Sequence, residues 1–280
     1  MEMQNGQPTN TGIHPNLKKE VCIVTPEENL RYSRHFLFRH IGRKGQQKLR
    51  EAHVAIVGAG AIGSMIANHM ARSGVGQIRL IDADQVEISN LQRQVLYTEE
   101  DAAVHRDKAM AAKMHLSAIN HHVEVDPRTI RINANNAEEH LTGVDLILDG
   151  TDNLDTRFII NDVAMKHNIP WIYAAAVGSR GMMFPFIPGR APCFHCMFPP
   201  SQTNESAETC DAVGVIAPAV AVVASLSATE ALKILLGDHA NVVSRLRHLD
   251  LWKGEFAELQ LGEPRKNCPT CGLHEYPFIA

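Results

Sequence analysis

From residue 53 onward, short apolar runs alternate with segments of helical period. Residues 53–58 (HVAIVG) form a continuous apolar run closed by glycine, the pattern of a buried strand. Residues 61–73 carry the helical period and stop at Gly74 and Gly76. Residues 77–81 (QIRLI) form a second apolar run that ends at Asp82. Strand, glycine turn, helix and strand in about 30 residues predict a right-handed crossover in a parallel sheet. The alternation continues with helices over 108–119, 134–141 and 154–167 and strands over 123–126, 144–149 (VDLILD) and 171–176. The pattern then changes. Residues 182–187, 245–252 and 255–261 read as strands of an antiparallel part, with one long helix over 216–235 between them. Upstream, residues 30–51 have helical spacing and many basic side chains, and residues 1–26 are polar and aperiodic.

The first turn reads Gly58-Ala59-Gly60-Ala61-Ile62-Gly63, a G-x-G-x-x-G pattern directly after a strand and opening a helix. Glycine at the first two positions lets the backbone turn tightly and approach a phosphate, and the helix-start N–H groups face that anion. Asp82 follows Gly63 by about 20 residues, where a carboxylate can accept from ribose hydroxyls. Together these favour a nucleotide site over a turn that merely packs. A dinucleotide and ATP both fit this far. The expected architecture is α/β: a Rossmann-like open, mainly parallel sheet with a C-terminal antiparallel extension. Its expected organisation is a flexible arm (1–26) and one domain (27–280), divided into a nucleotide-binding part (27–176) and an antiparallel, zinc-knuckle part (177–280).

Composition narrows the class. With 280 residues, 45% hydrophobic and 21% charged, the chain can bury a full core, which excludes disordered, collagen-like and disulfide-miniprotein readings. A net charge of −4 gives no support for a bulk nucleic-acid binder. The uncharged stretch 212–229 is short for a membrane span and rich in small residues, so a buried core helix is expected there. Four of the six cysteines form Cys193-Phe194-His195-Cys196 and Cys268-Pro269-Thr270-Cys271. Two such pairs supply the four thiolates of a closed, structural Zn²⁺ site in a reducing, cytoplasmic compartment. His195 is expected to be exposed and not a ligand, and Cys22 to be incidental.

After Asp82 the chain continues Ala83-Asp84-Gln85-Val86-Glu87-Ile88-Ser89-Asn90-Leu91-Gln92-Arg93-Gln94. This run resembles the signature of the ThiF/MoeB/HesA family, prokaryotic relatives of ubiquitin-activating enzymes. The likeness extends over roughly residues 30–275. It takes in Arg31-Tyr32-Ser33-Arg34, Lys108, Gly150-Thr151-Asp152-Asn153, residues 209–215 (TCDAVGV) and both cysteine pairs. Ile169-Pro170-Trp171-Ile172-Tyr173 and the C-terminal Cys-Pro-Thr-Cys-Gly are nearest the ThiF-like members. The resemblance implies ATP and Mg²⁺ as cofactors. Asp82 would hold the ribose, Asn90 and Arg93 the phosphates, and Lys108 the α- and β-phosphates. Asp152 would hold Mg²⁺, with Asn153 beside it in the pocket. It also implies that Arg34 reaches the ATP site of the other subunit of a homodimer. Cys210 matches a cysteine that carries sulfur covalently in some relatives and is dispensable in others. In one place the chain departs: the segment before the lysine, usually Gly-x-Pro-Lys in the family, is His105-Arg106-Asp107-Lys108.

Residue chemistry agrees with this reading. Adenylation develops charge on several phosphate oxygens, and fixed cations such as Arg93 and Lys108 stabilise it, whereas a nicotinamide enzyme needs none. The plainer alternatives are solvated surface charges for Arg93 and Lys108 and an N-cap role for Asp152. The function expected is adenylation of the C-terminal glycine carboxylate of a small ubiquitin-like sulfur carrier protein ending in Gly-Gly. A sulfur donor such as a cysteine desulfurase would follow, in thiamine thiazole or molybdopterin synthesis. The alternative is the same chemistry on a peptide or specialised carrier; a dehydrogenase and a non-catalytic scaffold are weaker rivals. Neither nucleic acid nor membrane is expected as a partner.

Overall fold

The computed structural model describes residues 25–190, 192–199 and 213–279. Eight strands form one sheet in the order β3-β2-β1-β4-β5-β6-β7-β8. β1 (His53–Val57), β2 (Gln77–Ile81), β3 (Glu124–Arg128), β4 (Leu146–Asp149) and β5 (Trp171–Val177) run parallel. β6 (Arg180–Phe186), β7 (Arg245–Asp250) and β8 (Glu255–Gln260) continue the sheet antiparallel. The expected α/β architecture and antiparallel extension are therefore present. Pro127 is accommodated because β3 is an edge strand.

The central strands β1, β4 and β5 are apolar along nearly their whole length because both faces are covered. On one face Val54, Ile56, Ile78, Leu80, Leu146, Leu148 and Ile172 meet α3 (Gly42–Glu51), α4 (Ala61–Ser73), α6 (Lys108–Ile119) and a long helix, α10 (Ala217–Leu236). On the other, Ala55, Val57, Ile147, Trp171 and Tyr173 meet α7 (Ala137–Leu141), α8 (Leu154–Lys166) and α9 (Phe194–Met197). Neighbours along one strand thus feed opposite cores. α10 is the one described helix long and apolar enough to cross a membrane. It packs instead against α4, β5 and β6, with Val220, Val223, Ala224 and Ala231 buried.

Most boundaries shift by one or two residues, and two helical segments differ more. The helical stretch over 30–51 breaks into α1 (Pro26–Arg31), α2 (Ser33–Leu37) and α3. Tyr32 leaves the helix to bury its ring, and its hydroxyl accepts from Asn120 Nδ2 at 2.8 Å. Phe38 is extended, and Gly42 sits at φ +58°. The helix expected from 134 starts at Ala137 because Asn133 and Asn136 form a side-chain-bonded turn: Asn135 N–H donates to Asn133 Oδ1, and Asn133 N–H to Asn136 Oδ1, each at 2.9 Å. A short helix, α5 (Glu99–Ala103), capped by Thr98, precedes α6.

Candidate active site

The site lies at the carboxyl ends of β1, β2 and β4, where strand order reverses and open α/β sheets place their ligands. The turn after β1 needs its glycines. Gly58 sits at φ +88°, and a Cβ there would meet Gly150 O at 2.5 Å. A Cβ on Gly63 would strike Gly58 O, and one on Gly150 would lie 2.5 Å from the same oxygen. These three glycines interlock β1, α4 and the end of β4. Gly60 is different: a Cβ there would meet nothing closer than Gln94 Nε2 at 3.9 Å, so its face is open to a ligand. Gly60 caps α4 with no side-chain hydrogen bond, leaving the first-turn N–H groups without a capping acceptor.

Asp82 holds this turn. Ala59 N–H donates to its Oδ2 at 2.6 Å, and Asp84 N–H to its Oδ1 at 2.8 Å. Burial pushes the Asp82 carboxyl above its ordinary range, although these bonds and the charge of Lys108 work against the shift. Each oxygen keeps a lone pair for a ribose hydroxyl. Tyr97, buried beneath the turn, donates its hydroxyl to Ala59 O at 2.7 Å. The segment carrying Asn90 and Arg93 is therefore fastened to the turn through Tyr97. Asn90 is buried and accepts from Glu87 N–H at 3.0 Å; Arg93 donates to Ser89 O at 3.0 Å and remains partly exposed.

Lys108 is buried, not a surface charge. Residues 84–86 and 106–108 run side by side: Val86 N–H donates to Arg106 O and Lys108 N–H to Asp84 O, each at 2.9 Å. Lys108 Nζ then reaches Asp84 Oδ2 at 3.1 Å, two residues beyond Asp82. His105, where the family usually has glycine, sits at φ +48°. The backbone thus keeps the left-handed turn although the residue has changed.

Asp152 is exposed beyond β4. Asn153 Nδ2 donates to its Oδ1 at 3.3 Å, and Oδ2 has no hydrogen bond among the described residues. The N-cap of α8 is Asn153, whose Oδ1 accepts from Thr156 N–H at 2.9 Å, so the capping alternative for Asp152 falls away. Glycine turn, Asp82, Asn90, Arg93, Lys108, Asp152 and Asn153 thus lie in the segments beyond the carboxyl ends of β1, β2 and β4. Arg34 does not join them. Its helix adjoins Tyr32, whose hydroxyl abuts Gly74 at the far end of α4, about 20 Å from the glycine turn by helix length. Arg34 is exposed and has no hydrogen bond or ion pair among the described residues. Cys210 and Cys22 lie outside the described residues, as does most of the expected arm.

The four paired cysteines form one cluster packed against α8. Cys193 and Cys268 sulfurs lie 3.6 Å apart, Cys196 and Cys271 3.5 Å, and all four fall within 4.8 Å of one another. Two sulfurs at about 2.3 Å from one tetrahedral zinc stand about 3.8 Å apart, so the cluster can hold the ion. Burial raises the Cys193 thiol and pushes Cys271 up to about 11. Such thiols are hard to ionise alone, and a bound cation supplies the compensating charge. Arg265 N–H donates to Cys196 Sγ at 3.4 Å. His195 corrects the expectation of exposure: it is fully buried, edge-on to Phe158 and Phe278, with Nδ1 3.2 Å from Thr270 Oγ1. The knuckles close onto α8, where Thr270 donates to Asp162 at 2.6 Å, so the residues between the cysteines face inward.

The family model described as ThiF family matches residues 32–270. The chain belongs to the ThiF family. It is 43% identical over 251 residues to the sulfur carrier protein ThiS adenylyltransferase of Bacillus subtilis, covering 89% of this chain and 74% of that protein. It is 37% identical to the sulfur carrier protein adenylyltransferase of Thermus thermophilus, over 89% of this chain and 92% of that one. Among solved structures, Escherichia coli MccB crystallised with ATP matches with a TM-score of 0.73 at 26% identity, over 86% of this chain and 74% of that chain.

The sequence did not single out Asp149 and Arg157. Asp149 is fully buried at the end of β4 and accepts at Oδ1 from Thr151 N–H at 2.8 Å and Thr151 Oγ1 at 2.6 Å. Arg157 Nε donates to Asp149 Oδ2 at 2.9 Å, and its Nη2 to Thr151 O at 2.6 Å and Ala174 O at 3.2 Å. Burial alone would depress the guanidinium; the Asp149 charge outweighs it and holds the group above its ordinary value. The pair fixes the loop that presents Asp152. An acid ending an apolar strand, with an arginine inside the following apolar helix, is the signal that was available.

Proposed function

We propose that this protein is an ATP-dependent adenylyltransferase acting on the C-terminal glycine carboxylate of a small ubiquitin-like sulfur carrier protein ending in Gly-Gly. A buried lysine, an open glycine turn and an exposed carboxylate beyond the carboxyl ends of β1, β2 and β4 support this reading. A carboxylate oxygen attacks the α-phosphorus, the bond to the bridging oxygen breaks, and pyrophosphate leaves with its electron pair. The nucleophile is already ionised near pH 7, so no general base is needed. The demand is for fixed positive charge. The open face at Gly60 receives the phosphates, Lys108 stands at their α- and β-positions, and Arg93 swings from Ser89 O toward them. Asp82 accepts from the ribose, and Asn90 keeps the Arg93 segment in place. Asp152 would hold Mg²⁺, with Asn153 beside it, and the bound ion would neutralise phosphate charge.

Arg34 stands too far from its own turn to serve it. A homodimer in which Arg34 enters the partner's site accounts for its exposure. The acyl adenylate then passes to a sulfur donor such as a cysteine desulfurase, for thiamine thiazole or molybdopterin synthesis. Cys210 is the residue available for a covalent sulfur step. Four thiolates on Zn²⁺ suit a reducing, cytoplasmic setting. The likeness to MccB, whose structures include complexes with MccA, supports a second reading with a peptide substrate. Higher identity to the carrier enzymes favours the first.

The test is exchange of labelled pyrophosphate into ATP, dependent on an added Gly-Gly carrier. Asp152→Ala and Arg93→Ala should abolish exchange with the fold intact, and Cys210→Ala should keep it, since adenylation uses no thiol. Retained exchange in Asp152→Ala would move the metal role elsewhere. Exchange with a peptide and with none of the carriers would give the second reading.

A further inference from the structure

Away from the nucleotide edge, α1 meets the turn between α6 and β3. Arg31 ties them: Nη1 donates to Ile119 O at 2.9 Å and Nη2 to Glu27 Oε1 at 3.0 Å. With one oxygen held, Glu27 presents its other oxygen to two consecutive histidines of the turn. His121 Nε2 lies 3.7 Å from Glu27 Oε2, and His122 Nε2 lies 3.5 Å from the same atom. The two rings stand side by side with centroids 4.0 Å apart. All three ligand atoms fall within 4.8 Å of one another.

Hydrogen bonding does not explain these spacings, which exceed the usual 2.7–3.2 Å or so for N–H···O. They match another geometry. Two ligands at about 2.0–2.2 Å from one tetrahedral zinc lie about 3.3–3.6 Å apart, so the two carboxylate–imidazole separations need change by only a few tenths of an ångström. Two imidazoles and one carboxylate form a donor set suited to a borderline divalent cation, and Arg31 orients the carboxylate as an outer partner does in metal sites.

We infer that Glu27, His121 and His122 bind a second Zn²⁺, distinct from the four-cysteine cluster, with its fourth position open to water. The ion staples α1 to the α6–β3 turn. Because only Tyr32 separates α1 from α2, the staple also steadies the helix that carries Arg34. The binding itself does not depend on the adenylation reading.

The test uses the full chain, first brought to constant zinc content by dialysis, then titrated with Zn²⁺ against a chromogenic zinc chelator at pH 7.5. Wild type should take up one further equivalent, and its thermal midpoint should rise as it does so. His121→Ala, His122→Ala and Glu27→Gln should each weaken that equivalent by at least about tenfold, the loss expected for lesser changes around a metal. All three positions are on the surface, so circular dichroism should be unchanged. No further equivalent in wild type, or one that survives unweakened in any of the three variants, overturns the site. Because the readout is metal uptake, failure here leaves pyrophosphate exchange untouched, and the reverse holds as well.

Discussion

Replacing Arg157 by methionine should destabilise the protein severely and uncouple its fold from its chemistry. The substitution keeps a similar length of apolar stem and removes the guanidinium from a site where Asp149 is fully buried. Asp149 Oδ1 keeps both Thr151 bonds, but Oδ2 is left with only the Ala174 N–H at 3.4 Å. Breaking a buried pair in this way costs about 3–5 kcal/mol, because a charge is left without its partner. Thr151 O and Ala174 O also lose a donor. Against a total stability of about 5–15 kcal/mol, such a loss is large enough to measure and leaves a folded population under mild conditions. Urea unfolding should give a loss of about 4 kcal/mol. In an Asp149→Asn background the same substitution should cost at least about 1.5 kcal/mol less, since a neutral amide tolerates the missing cation. Pyrophosphate exchange should fall further than the folded fraction, because a misplacement of about 1 Å at Asp152 can cost about 100-fold. A stability loss under about 1 kcal/mol, or additive effects in the double variant, would refute the claim that this pair holds the loop.

Asp101 is buried; burial works to raise its carboxyl, but hydrogen bonds from His115 and Thr98 outweigh it and hold the group below its ordinary value. A depressed folded value adds stability above the unfolded value of about 3.9 and loses it as pH falls further, so the urea-midpoint gap between wild type and Asp101→Asn should be full at pH 7 and shrink below about pH 4. His105→Gly should leave exchange unchanged and alter stability by no more than about 1 kcal/mol, toward greater stability, because relief of the left-handed strain offsets the added freedom of the unfolded chain; a loss beyond 1 kcal/mol or so would show that the side chain has a task of its own. Arg34→Ala and Asp152→Ala should each be inactive, yet mixing them with subunit exchange should restore about a quarter of wild-type exchange activity, since half the dimers are mixed and half their sites are intact. No recovery with proven subunit exchange would rule out the arrangement across the dimer.

The sheet was legible because its strands are buried on both sides, and unbroken apolar runs such as Leu146–Leu148 stand out against their polar borders. β6 was legible for the same reason, whereas β8 is exposed along its length and carries no such run. The N-terminal helices were less legible. Basic residues at helical spacing set a period but say nothing of where the helix turns, and the break at Tyr32 depends on Asn120, 88 residues away. His195 was misjudged for a related reason. A histidine between two cysteines looks like a loop residue until α8 and its Asp162 close over it.

Within the candidate site, the residues that would touch ATP could be read from the chain, and those that hold them could not. On the proposed reading, a residue facing a phosphate must be of a chosen type at a chosen loop position, so Arg93, Lys108 and Asp152 would leave a mark in sequence. Asp149, Arg157 and Tyr97 act only through burial and tertiary contact, and in sequence each resembles an ordinary acid, base or aromatic. His105 joins the two cases. The sequence marks it as a departure from glycine, which raises the question whether the turn before Lys108 survives. The φ of +48° answers that the left-handed turn is kept despite the side chain. What the chemistry requires there is the path of the backbone, set by pairing of residues 84–86 with 106–108. The residue at the corner is free to change as long as that pairing outweighs its strain.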